Sequence, residues 1–206
     1  MSSPEVQDSM QAVGELAAVE APKIVGTIFA VTGVSAVRGA LGTVYFAADV
    51  DSICEYPLYV LDWDVKPIQS ALPTYLADVF ERLAAIRAEC KTVLYPDDIA
   101  LYAEPTGLGK VVLLEAHKGG HDVREIREGI TTLDLEERAT PALVYVHAGQ
   151  VKFAKAAFEK VVNFRGTARN HLRTQIAGYT SDQKADAAEL LTAWLTGILQ
   201  ALETGL

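Results

Sequence analysis

Three strand-like runs crowd the early part of the chain: KIVGTIFAV (23–31), GTVYFAADV (42–50) and PLYVLDWDV (57–65). They are rich in β-branched and aromatic residues, and short polar or glycine-containing connections separate them. That pattern suggests an antiparallel meander. The next stretch, PIQSALPTYLADVFERLAAIRAECK, opens at Pro67 and spaces Leu76, Val79, Phe80, Leu83 and Ile86 at helical intervals. Pro73 falls inside it and marks where the ordered helix begins. The apolar run DIALYAE (98–104) then reads as a buried strand, of the kind paired in parallel after a helical crossover.

Beyond it, GKVVLLEAHKGG predicts a helix stopped at Gly119 or Gly120, and HDVREI (121–126) a further strand. LDLEERATPALVYVHAG reads as a helix disturbed by Pro141, and QVKFA as a short strand. Two more helices are expected over about 155–178 and 183–203. Ala187, Leu190, Leu191, Trp194, Leu195 and Ile198 mark a buried stripe on the last. Three antiparallel strands, a crossover helix and then parallel strands is the order of an α/β, ribonuclease H-like fold. The expectation is a mixed five-stranded sheet with helices on both faces and extra C-terminal helices. Residues 1–22, polar and alanine-rich up to Pro22, read as a flexible or helical segment, and 23–206 as one domain.

Composition sets outer limits. At 206 residues the chain suffices for one well-buried domain. No apolar run approaches the ~18 residues of a membrane span, and the N-terminus lacks a signal peptide's basic start and apolar centre. Cys54 and Cys90 have neither ligand spacing nor a secreted context, which fits reduced thiols. A net charge of −9 argues against a broad nucleic-acid-coating surface but leaves room for a local basic track.

AEPTGLGK (103–110) is the stretch richest in chemical options. As a phosphate loop it fails. Glu104 stands where the first glycine is needed, and Val111 replaces the hydroxyl that holds Mg²⁺. A nucleotide-binding α/β domain is therefore only weakly favoured. Glu104 itself is the better candidate, a carboxylate at the C-terminal end of a buried strand, the edge where open α/β sheets place their sites. Such a group suits a hard divalent cation. Asp182 and Asp186 lie four apart at the start of the last helix, near its positive end. Asp182 fits a capping role as well. Asp186 borders the apolar stripe, where an uncompensated carboxylate is costly unless a cation, an arginine or a lysine is near.

Taken together, the segments VGTIFAVTG, GTVYFAADV, YVLDWDV, IALYAEPTGLGK, EERATPALVYVHAGQVKF and LRTQIAGYTSDQKADAAELLTA resemble the nuclease domain of the large terminase subunit of tailed bacteriophages. The resemblance covers roughly residues 23–203 and implies a ribonuclease H-like fold. Glu104-Pro-Thr-Gly107 matches the family's acid and small-residue turn. Arg138-Ala139-Thr140-Pro141 with Gly149-Gln-Val151 matches its "RA.P" and "G-x-V" segments, and Asp182 with Asp186-Ala187 its acidic last helix. By this resemblance Glu104, Asp186 and Asp182 would be catalytic and metal ligands, the cofactor Mg²⁺ or Mn²⁺, and the substrate double-stranded DNA. The partners would be phage packaging proteins (motor ATPase and portal) in the host cytoplasm.

One departure limits that implication. The family carries an Asp on its first strand, and VGTIFAVTG places Phe29 there, beside Ile28, Ala30 and Val31, none of which can ligate; Ala40 also stands where an Asp is often found. Two cations ~3.5–4 Å apart need several carboxylates to bridge and surround them. Asp62 and Asp64 in VLDWDV sit on a strand too distant to substitute. The resemblance therefore implies an endonuclease of impaired or lost activity, or a catalytically inactive DNA- or protein-binding relative. No motor ATPase sequence accompanies the domain, as expected of a separated domain, a split gene or an excised piece. Lys152, Lys155, Lys160, Arg165, Arg169 and Arg173 form a basic concentration suited to phosphate contact. His117, His121, His147 and His171 lack ligand spacing.

Overall fold

The computed structural model describes residues 18–19, 26–49, 58–68, 72–90, 99–179 and 188–204. Nine strands are formed among them: β1 Ala18–Val19, β2 Gly26–Ser35, β3 Ala40–Asp49, β4 Leu58–Pro67, β5 Ile99–Ala103, β6 Val123–Glu125, β7 Val151–Ala154, β8 Val162–Phe164 and β9 Thr167–Arg169. The helices are α1 Leu72–Cys90, α2 Gly107–Lys118, α3 Glu128–Thr131, α4 Leu135–His147, α5 Lys155–Glu159, α6 His171–Ala177 and α7 Glu189–Thr204.

The main sheet runs β1-β7-β4-β3-β2-β5-β6. β2, β3 and β4 pair antiparallel, whereas β5 joins β2 and β6 joins β5 in parallel. Five of the strands, β4-β3-β2-β5-β6, thus have the expected ribonuclease H-like order, and the fold is of that class. The sheet itself has seven strands rather than five, because β7 adds in parallel beside β4 and β1 in parallel beside β7. Ala18–Val19, inside the segment read as lying outside the domain body, supplies that outermost strand.

Alternation along β2 divides the interior into two cores. Phe29 and Val31 face one, with Phe46, Trp63, Phe153 and Trp194; Ile28 and Ala30 face the other, with Tyr45, Leu76, Val79, Leu83 and Ile86 of α1 and Val112 of α2. Phe29 and Phe46 are register partners and stack at 5.2 Å. Pro73 is the second residue of α1, where a missing N–H leaves no intrahelical bond unmade. Pro141 lies inside α4 without ending it. That helix is anchored at its start by a capping box: Glu137 N–H donates to Asp134 Oδ1 (2.8 Å) and Asp134 N–H to Glu137 Oε2 (2.9 Å).

Two features depart from the sequence reading. The single helix expected over 155–178 is instead α5, a β8–β9 hairpin and α6. Arg165 and Gly166 both have positive φ, 52° and 79°, the geometry of a tight hairpin turn. Asn170 then caps α6 by accepting from Arg173 N–H (2.9 Å), and donates to the carbonyls of Ala157 (3.0 Å) and Phe158 (2.9 Å), tying the hairpin's base to α5. The second departure is α7. The stripe expected on one side becomes burial all round, since every residue from Ala188 to Ala201 is buried. A helix buried on all sides belongs between layers.

Candidate functional site

Glu104 follows directly on β5. The β2–β5 register ends at Thr32 opposite Ala103, so one step further the neighbour of Glu104 on the first core strand is Gly33. Phe29, the residue placed at the family's acidic position from sequence, pairs with Ala100 deep in the sheet. Gly33 cannot be replaced by an acid in place. A Cβ there would lie 2.1 Å from the Glu189 carbonyl oxygen and 2.9 Å from Ala193 N. Gly42, its partner on β3, also lies close under α7, where a Cβ would be 2.9 Å from Leu190 N. This glycine pair lets the first turn of α7 rest on the sheet's backbone, and it leaves β2 without a side chain beside Glu104 on that face.

What Glu104 meets instead is Arg138 of α4. The guanidinium Nη1 donates to Glu104 Oε1 (2.5 Å) and to Thr196 Oγ1 (3.0 Å), and Nε donates to the Leu133 carbonyl (3.1 Å). Arg138's side chain is only 7% exposed and Glu104's is 29%. The pair thus lies at the bottom of an opening to solvent. That opening is a cleft of about 210 Å³ lined by Thr32, Val34, Glu104, Thr106, Arg138 and Thr192, among others. The glycines of TGLG have backbone reasons for being there. Gly107 has φ +52°, and a Cβ on Gly109 would lie 2.3 Å from the Glu104 carbonyl, so the first turn of α2 packs on the Glu104 backbone. A phosphate-cradling role is not needed to explain them.

The polar side of the cleft comes from a stripe that the sequence reading passed over. In α7, Glu189, Thr192, Thr196 and Gln200 recur at helical spacing within an otherwise apolar helix, and all four are buried. Thr196 holds Arg138, Thr192 lines the cleft, and Gln200 Oε1 accepts from Arg127 N–H (3.4 Å). Glu189 accepts from Gln175 Nε2 (3.0 Å) and lies 3.5 Å from Arg38 Nε. Gln175 Oε1 in turn accepts from the N–H groups of Leu190 (3.0 Å) and Leu191 (3.1 Å), capping α7 from a neighbouring helix.

Asp62 and Asp64 form a separate cluster on β4. A register shift between Tyr45 and Phe46 leaves Leu61 as an extra residue, so Trp63 and Val65 face the α7 core while both acids turn away. Asp62 accepts from Arg82 Nε (2.6 Å) and Lys160 Nζ (2.7 Å), and Asp64 from Lys160 (2.9 Å) and Tyr45 Oη (3.1 Å). Burial first, and Asp64 second, push the Tyr45 hydroxyl well above its ordinary pKa. On the same face Tyr75 is hydrogen-bonded to Thr32 and Thr43, and burial raises it to about 12 despite those bonds.

The six basic residues expected to contact DNA are dispersed over different elements. Lys152 is half-buried on β7, Lys155 is on α5, and Arg165 and Arg169 are exposed on the hairpin. Arg173 is stacked 3.8 Å from the Phe158 ring centroid. Lys160 Nζ donates to Asp62, Asp64 and the Trp63 carbonyl. Arg165 Nη2 donates to the Gly39 carbonyl (3.2 Å), which brings the hairpin tip against the β2–β3 turn. Ala36 of that same turn lines the cleft.

Asp182 and Asp186 lie outside the described residues. Among the described residues no group of three His, Cys, Asp or Glu side chains could hold a metal ion. Glu104 is the sole carboxylate lining the cleft among them, and it already has a cationic partner. This donor set does not fit a two-cation centre. No described helix is long and apolar enough to cross a membrane.

No protein-family model matches the chain, and no curated protein does. Among solved structures it is similar to the large terminase nuclease from thermophilic phage G20c with bound zinc. The TM-score is 0.46 at 11% identity, covering 90% of this chain and 97% of that one. It is also similar to the HK97 bacteriophage large terminase, with TM-score 0.42 at 11% identity, covering 92% of this chain and 42% of that one. Thermus thermophilus RuvC follows at TM-score 0.34 and 13% identity, covering 85% of this chain and 96% of that one.

Proposed function

We propose that this chain is a terminase nuclease-like domain that engages double-stranded DNA during phage genome packaging, with phosphodiester hydrolysis impaired or lost. The observation that carries the reading is the placement of Glu104. It closes the fourth strand of a ribonuclease H-like order, opens into a cleft at the strand ends, and is held there by Arg138. The motif order around it supports the packaging context, and so does the neighbouring rim, where Arg38 and Arg165 flank the β2–β3 turn. Phosphate contact by such residues weakens as salt rises. The motor ATPase and the portal are the partners this role requires.

A second reading is favoured by the 29% exposure of the Glu104 carboxylate. In it, Glu104, Asp182 and Asp186 together hold Mg²⁺ or Mn²⁺, and the domain is an active endonuclease. Incubation with supercoiled plasmid and Mn²⁺ separates the two. The first expects no nicking above the Glu104→Ala level, together with plasmid retention at low salt in a mobility-shift gel. Cleavage by the natural chain that Glu104→Ala abolishes would establish the second.

A further inference from the structure

We infer that Arg138 is a resident counter-cation that keeps a divalent metal off Glu104. The inference rests on reading the cleft as a nuclease-type site and deepens that reading, since it concerns how the site is regulated. A guanidinium stays charged throughout the physiological range, so it competes with a metal as a fixed positive charge. It is also pinned. Leu133 O, Thr196 Oγ1 and Glu104 Oε1 each accept from it, and its side chain is 93% removed from solvent. Were Glu104 to turn to a metal, Arg138 would be left buried with two neutral acceptors, which is costly for a charged group. The metal would also stand beside a like charge. No first-strand carboxylate offsets that repulsion, because α7 occupies the space over Gly33. Among the described residues, the acidic charge lining the cleft is therefore already neutralised.

Mn²⁺ alone is the probe, titrated into the full chain with the free ion followed by electron paramagnetic resonance. Four proteins are compared: the natural chain, Glu104→Gln, Arg138→Gln and Arg138→Lys. The natural chain and Glu104→Gln should bind Mn²⁺ alike. Arg138→Gln, which keeps a donor toward Thr196 but drops the charge, should bind about tenfold tighter or better. Arg138→Lys should not gain, and the gain should vanish in Arg138→Gln/Glu104→Gln. Loss of Mn²⁺ binding in Glu104→Gln alone would overturn the inference, and so would an equal gain from Arg138→Lys. Should Arg138→Gln fail to fold, the first comparison still decides the matter. Loss of plasmid retention would count against the packaging reading while leaving the Mn²⁺ result intact.

Discussion

Gly33 offers the most direct test of how the site is built. Its Cβ would sit 2.1 Å from the Glu189 carbonyl oxygen, whereas ordinary contact begins near 3.4 Å. Gly33→Ala therefore requires α7 to retreat by about 1 Å. The helix has little room to do so. At its middle a Cβ on Gly197 would lie 2.2 Å from Phe46, so α7 is seated against the sheet in two places. Neither glycine has positive φ, so the cost is steric. Backbone on both sides of the clash puts the penalty at the upper end of overpacking, about 3 kcal/mol. For a domain of this size that is a fall of about 6–12 °C in melting temperature. Urea unfolding, monitored by the fluorescence of buried Trp63 and Trp194, gives the free energy, and a melt gives the temperature. Gly33→Asp should cost at least as much. A Gly33→Ala protein within about 0.5 kcal/mol of the natural chain would refute the seating of α7. It would also refute the claim that the first strand has no room for an acid.

Three other outcomes are expected. Tyr75 is pushed to about 12 in the folded chain against an ordinary 10. The folded state then holds its proton more tightly, and stability falls between pH 10 and 12 by about 2–3 kcal/mol through this group. Tyr75→Phe should flatten that part of the profile, and an unchanged slope in urea unfolding would contradict it. Lys160→Met leaves Asp62 with Arg82 and the Trp63 N–H, and Asp64 with Tyr45, and should cost about 2–3 kcal/mol in the same assay. Gln175→Ala uncovers two N–H groups at the start of α7 and removes a bond to buried Glu189. A loss of about 2 kcal/mol is expected, with no loss counting against the cap.

The parts of the fold that local pattern controls were readable from sequence. β2, β3 and β4 announce themselves by β-branched and aromatic runs, and α1 by the spacing of Leu76, Val79, Leu83 and Ile86. The hairpin at 162–169 was not, because KFAKAAFEK carries helical propensity into it. The only break signal is Arg165-Gly166, with a non-glycine residue at positive φ. The extra residue at Leu61 was equally hidden, since register is settled across strands rather than along one. At the site, Glu104 stood out by its place at a strand end. Its pairing with Arg138 depends on α4 packing against α7, which itself lies over β2 and β3, and no spacing encodes that. The stripe of Glu189, Thr192, Thr196 and Gln200 was visible, but it looks like scattered polarity until burial on all sides gives it meaning. Asp182 and Asp186 fall outside the described residues, so their role rests on the resemblance.

The glycine pair beneath α7 also has a consequence for biosynthesis. Gly33 and Gly42 emerge from the ribosome early, while the helix that roofs them is translated some 150 residues later. Until then one side of the nascent meander presents Phe29, Val31, Val44 and Phe46 to the surroundings with nothing to cover it. Completion of that layer must await the arrival of α7, so the unroofed strands are the part of the nascent polypeptide most open to aggregation.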